Sequence, residues 1–167
     1  MVMMNAIDWI ETLKLSPHPE GGYFREVYRS DESIVKSALP ARFAANRSFC
    51  TAIYYLLEQG DFSAFHRIKS DELWHYYDGG KLDLHLIHPN GKNECLRLGK
   101  TAGTFPMHIV PHGCWFAASP AKGADYVLVG CTVSPGFDFS DFEMASREKM
   151  IRQFPQHSKL IEAYTRS

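Results

Sequence analysis

Apolar residues in this chain fall into two rhythms, and the changes between them outline the fold. Behind Asn5, a residue type that caps helices, Ile7, Trp9, Ile10 and Leu13 recur at helical spacing and stop before Ser16-Pro17. This predicts a docking helix over 5–15. From Gly21 the period drops to two, in short runs rich in Tyr, Phe, Val, Ile and Thr, which predicts strands near 23–29, 47–57, 62–68, 72–78, 82–88, 94–98, 107–110, 114–119 and 125–133. Turn chemistry separates the runs, most clearly at Asn90-Gly91 and Asp78-Gly79-Gly80. Between Asp31 and Ala45 the alternation lapses, and this stretch is expected to cross the mouth of the fold as a mobile lid.

After Phe139 helical spacing returns. Ser140-Asp141-Phe142-Glu143 has the form of a capping box, Met144, Met150, Ile151 and Phe154 share a helical face, and Pro155 to Tyr164 supplies a second short helix. The expectation is a mostly β jelly roll, a barrel or double-sheet sandwich, with one helix before it and two after. One domain over 1–167 is expected, its core over 21–136 and its helical ends over 5–15 and 140–165.

Composition narrows the function. A net charge of -1 over 167 residues gives no electrostatic reason to bind nucleic acid. Aromatics at 13% suit a β core or a ring-lined pocket. The apolar runs are too short for a spanning helix and the first dozen residues lack a secretory pattern, so no membrane association and a cytoplasmic location are expected. Cys50, Cys95, Cys114 and Cys131 form no CxxC pair and read as reduced core residues.

Candidate chemistry concentrates between Gly60 and Gly79. On a strand His66 and Ile68 share a face with Phe62 and Ala64, and after the turn at Lys69-Asp71 the next strand can turn Glu72, Trp74 and Tyr76 to the same interior. A carboxylate near an imidazole raises its pKa and fixes its tautomer, which suits His66 and Glu72 to acid-base work. Trp74, Tyr76 and Phe116 offer an aromatic wall. Glu20, Tyr23 and Arg25 surround the Gly21-Gly22 step, where a guanidinium fork can hold an anion.

The spacing Gly60, five residues, His66-Arg67-Ile68, three residues, Glu72, six residues, Gly79 resembles the first cupin signature, and Pro111-His112-Gly113-Cys114-Trp115-Phe116 resembles the second. Carried over, the resemblance leaves only His66 and Glu72 of a three-His, one-Glu metal set, because Ile68 and Phe116 stand at the other two positions. Two ligands do not hold a divalent ion against water, so neither metal nor other cofactor is expected. A substitute from His75, His85, His108 or His112 stays open, although the pleat turns His75 away from Glu72.

The blocks Pro17 to Glu26, Thr51 to Leu57 and Val133 to Glu143 resemble an uncharacterised single-domain cupin family. That resemblance implies a jelly roll with a cavity of small-molecule size and a homodimer, to which Tyr54, Tyr55, Tyr77 and Trp115 are expected to contribute from outward faces. The leading functional expectation is metal-independent binding of a small polar or cyclic metabolite with proton transfer, as in metal-free epimerases of the same superfamily, whose histidine base and tyrosine acid imply His66 and Tyr76 in those roles here, beside Glu72. A non-catalytic binding or sensing protein and a weakly metal-dependent oxygenase or isomerase are the alternatives.

Overall fold

Two antiparallel sheets face each other with their apolar faces inward, in a computed structural model that describes residues 4–166. In chain order the strands are β1 (Ser16–Pro17), β2 (Tyr23–Arg29), β3 (Ser33–Ile34), β4 (Arg47–Ser48), β5 (Thr51–Glu58), β6 (Ser63–Arg67), β7 (Asp71–Gly79), β8 (Leu82–Ile87), β9 (Asn93–Leu98), β10 (Met107–Val110), β11 (Trp115–Pro120), β12 (Tyr126–Ser134) and β13 (Glu143–Met144). One sheet has the order β1-β2-β5-β12-β7-β10 and the other β13-β6-β11-β8-β9. This is a jelly-roll sandwich, and its long strands lie within a residue or two of the predicted positions. The exception is the predicted 47–57 strand, which divides into β4 and β5.

Alternation fills the space between the sheets. Trp74, Leu82, Leu84, Leu86, Phe116 and Val129 are buried in one cluster there. The outer faces are covered unequally. Helix α1 (Ala6–Leu13) starts where Asn5 Oδ1 accepts the Asp8 amide at 3.1 Å, and the Asn5 amide donates back to the Asp8 carboxylate at 2.9 Å. Its Trp9, Ile10 and Leu13 lie over Leu56 and Leu128 at one end of the six-stranded sheet. Helices α2 (Arg147–Gln153) and α3 (Ser158–Ala163) bury Met150, Phe154 and Ile161 on Phe65, Ile87 and Trp115 of the other sheet.

Four expectations are corrected. Ser140 to Glu143 does not cap a helix: Asp141 is claimed by Arg47 at 2.6 and 2.7 Å, and Glu143–Met144 pairs with β6, so α2 begins only after Ser146. The 31–45 segment is no lid. Ser33–Ile34 pairs with Arg47–Ser48, Phe43 is buried, and Arg42 donates to the Lys69 carbonyl at 2.7 Å. Tyr55 and Trp115 do not look outward, since Tyr55 belongs to the core and Trp115 lies beneath the C-terminal helices. Of the cysteines, Cys114 and Cys131 are buried, whereas Cys95 is exposed. No helix among the described residues is long and apolar enough to cross a membrane.

Candidate functional site

A cavity of about 330 Å³ opens at one end of the sandwich. Its ionisable groups include His18 and Glu20 from the turn before β2, Glu26 and Arg29 from β2, His66 from β6, Glu72 from β7, Cys131 from β12 and Asp138 from the segment after it. Phe24, Phe137, Phe139 and Phe142 supply most of its ring surface.

Local backbone geometry explains why these groups meet. The 18–22 turn is closed by the His18 amide on the Gly22 carbonyl at 2.9 Å and the Gly21 amide on the His18 carbonyl at 3.0 Å. Gly21 and Gly22 have φ of 113° and 73°, a region that disfavours L side chains. A methyl group on Gly21 would also meet the Phe62 carbonyl oxygen. This turn aims His18 and Glu20 inward. In β2 the register against β5 shifts between Glu26 and Tyr28, a bulge at Val27. The bulge returns Arg29 to the face of Glu26, where the two meet at 2.9 and 2.7 Å.

Charge at the cavity floor is organised around His66. Its Nδ1 lies 2.7 Å from the Ala64 carbonyl oxygen and 2.9 Å from Glu20 Oε2. The N–H points to the carbonyl, and the carboxylate sits beside it. Burial opposes the imidazolium, but Glu20 outweighs it and the His66 pKa lies above its ordinary value. Burial likewise opposes the charge on Glu20, yet His66 holds that carboxyl below its usual range. His18 behaves differently. Its Nδ1 accepts the Glu20 amide at 3.2 Å, and burial pushes its pKa down, so it stays neutral.

Glu72 has no such partner. Burial, reinforced by Glu20 and only partly offset by His66, raises its pKa to about 7. No cationic side chain among the described residues lies within ion-pair distance of it. Beside it Cys131 is pushed well above the usual thiol range, by burial first and by Glu72 second.

The structure brings together Glu20, His66 and Glu72 of the residues singled out in the sequence, and places the others elsewhere. Phe116 lies behind His66, ring centroids 4.0 Å apart, and with Trp74 belongs to the core outside the cavity lining. Tyr76 lies four residues beyond Glu72 along β7, where its hydroxyl donates to the Gly79 carbonyl at 2.6 Å and lines a separate lysine-bearing cleft. Tyr23 packs beneath α1, and Arg25 donates outward to the Leu13 carbonyl at 3.1 Å. The mouth therefore holds no Arg25 anion clamp, because the guanidinium serves the end of α1. His75, His85, His108 and His112 are bonded to Thr132, Tyr164, Arg97 and Asp71 respectively, away from the cavity. Sequence reasoning missed His18, Arg29 and the Phe137–Phe142 wall. The first follows from a glycine turn, the second from a bulge, and the third from an irregular segment with no period to read.

Residues 7–145 match the family described as Cupin superfamily (DUF985). The chain belongs to this cupin family. Protein SO0799 from Shewanella oneidensis has a crystal structure of TM-score 0.88 and 38% identity, covering 98% of this cupin and 99% of that chain. A hypothetical protein from Leishmania major gives 0.88 and 35%, covering 98% and 100%. Uncharacterized protein YML079W of Saccharomyces cerevisiae is 28% identical over 166 residues, 93% of this chain and 80% of its own. Oxalate decarboxylase from Bacillus subtilis aligns at TM-score 0.55 and 14% identity over 89% of this chain and 36% of its own, a likeness of fold alone.

The residues of this cupin do not fit a three-His, one-Glu metal set. Ile68 and Phe116 cannot coordinate, and no three His, Cys, Asp or Glu side chains among the described residues form a metal-binding group.

Proposed function

We propose that this cupin binds a small organic molecule in the cavity and moves a proton on it without a metal, as an isomerase or epimerase does. One observation carries the reading: a carboxyl group titrating near neutrality, Glu72, lines the same cavity as an imidazole held by a second carboxylate. At neutral pH Glu72 exists in both protonation states, which suits a group that must give and take a proton. Both polar contacts of the His66 ring are at Nδ1, leaving Nε2 as the atom for a ligand. The two carboxyls with divergent pKa values divide the labour, Glu20 holding charge on His66 and Glu72 exchanging it.

The test is exchange of ligand hydrogen with solvent deuterium, followed by mass spectrometry across a panel of small cyclic and hydroxylated metabolites. Exchange is expected for a bound ligand, falling by about 100-fold or more in Glu72→Gln and His66→Gln. A ligand that binds and returns unlabelled would leave a binding or sensing protein in place of an enzyme. Stoichiometric metal in protein purified without chelator would overturn the metal-independent part.

We further propose that the protein works as a homodimer. Beyond α1 the outer face of the six-stranded sheet is uncovered, and Tyr28, Tyr77, Met107 and Ile109 lie there half exposed, with β10 as a free edge. Light scattering is expected to give twice the 19.0 kDa chain mass, and a charge at Ile109 is expected to shift the population to monomer. A wild-type monomer would remove the claim.

A further inference from the structure

Counting charge around the cavity leaves one acid unmatched. Arg29 is spent on Glu26, through Nε and Nη2, and on the Phe137 carbonyl at 3.0 Å. Glu20 is matched by His66, 2.9 Å away. Asp138 at the rim accepts the Ser140 amide at 2.8 Å and has Arg47 and Arg29 nearby. Glu72 is buried, lines the cavity and has no cation within ion-pair distance among the described residues. The same cavity is lined by four phenylalanines together with Ile53, Ile68 and Val133. Phe137, Phe139 and Phe142 pack with centroids 4.9 to 6.3 Å apart, and Phe24 stands on β2.

We propose that the ligand is an organic cation, an amine or alkylammonium on a small apolar body, with Glu72 as its counter-ion and the phenylalanine rings as its cage. Ring faces attract a desolvated cation, and a carboxylate in an apolar wall is worth more to it than one in water. An anionic ligand would instead meet the carboxyl of Glu72, while the lining cations Arg29 and His66 are already paired with Glu26 and Glu20. A neutral one would leave Glu72 as it is. This inference rests on the reading above that the cavity holds the ligand, and goes on to fix the ligand's charge.

The pH dependence has a definite sign. The groups facing Glu72 are His66 from β6, His18 and Glu20 from the 18–22 turn, Cys131 from β12, the Glu26–Arg29 pair from β2 and Asp138 from the rim. A bound cation favours the ionised carboxyl, so binding takes a proton off Glu72 below about pH 7 and tightens as pH rises through that point, where the Glu72 effect becomes complete. Loss of the His66 proton at higher pH makes the cavity more negative and acts in the same direction. An alkylamine keeps its charge throughout this range.

Benzylamine, benzyl alcohol and benzoate share one body and differ in charge, and their binding to the full-length protein can be followed by calorimetry at about pH 6 and about pH 8. Benzylamine is expected to bind about tenfold more tightly than the alcohol at the higher pH, benzoate to bind weakest, and the amine preference to shrink at the lower pH. In Glu72→Gln the preference and its pH dependence are both expected to vanish while the alcohol still binds. Equal binding of all three, or tightest binding of benzoate, overturns the amine and leaves the cavity reading standing. No binding by any of them overturns both. The wild-type comparison decides the matter even where the variant fails to fold.

Discussion

Arg47→Ala is expected to destabilise the fold by about 3 kcal/mol, measured by denaturant unfolding. The guanidinium is buried, grips Asp141 at 2.6 and 2.7 Å, and donates to the Ala45 and Asn46 carbonyls at 3.1 and 2.7 Å and to Ser140 at 3.1 Å. Removing it strands a buried carboxylate and two carbonyls. Lys69, 3.5 Å from Asp141, offsets part of the loss, which keeps the expected effect at the lower end for a broken buried pair. Replacing both partners, as in Arg47→Met with Asp141→Leu, is expected to recover most of the stability, because desolvation of the pair roughly cancels its attraction. The same clamp holds the 137–142 wall of the cavity, so the single variant should lose ligand affinity at temperatures where it is still folded. A change below about 1 kcal/mol would mean that the pair is incidental.

Stability should peak in mildly acidic solution and decline towards alkaline pH, and Glu72→Gln should flatten that decline. The pKa of Glu72 rises on folding from 4.5 to about 7, so its contribution is complete below 4.5 and is lost as pH climbs through 7. His66 is also raised above its unfolded value of 6.5, so its contribution is present below 6.5 and disappears as pH rises through the folded value. Glu20 is depressed below 4.5 and acts oppositely, stabilising above 4.5 and failing as pH falls through its folded value. The three together favour the window from about pH 5 to about pH 6.5. A shift of this size in Glu72 corresponds to about 3 kcal/mol at most. Denaturant unfolding at about pH 5.5 and about pH 8.5 measures it, and an equal decline in Glu72→Gln would refute the assignment.

Much of the fold was legible because strand burial alternates with period two in β8, β9 and the first half of β7, while β12, buried on both faces, was readable from its β-branched run between turns. The C-terminal boundary was not, because Ser140 to Glu143 satisfies a local capping pattern while a distant arginine decides its conformation. Local propensity gives way to a tertiary ion pair there. In the site His66 and Glu72 could be read from strand parity, yet parity cannot tell how far along a strand a cavity ends. For that reason Trp74 and Tyr76, on the same face as Glu72, fall beyond it. Glu20 was read as lying beside an Arg25 anion site at the Gly21-Gly22 step, whereas that turn aims Glu20 at His66 and leaves Arg25 to α1.

The extra residue at Val27 means that the binding chamber and the strand ladder obey different rules of length. Deleting Val27 would leave Glu26, Tyr28 and Arg29 opposite Ile53, Ala52 and Thr51 as they now stand, whereas absorbing it into a regular ladder would swing the guanidinium at 29 to the opposite side of the sheet from its glutamate. The pair at 26 and 29 thus tolerates the loss of the spare residue but not its pairing, so it is the irregularity of the ladder, and not its length, that shapes this wall of the chamber.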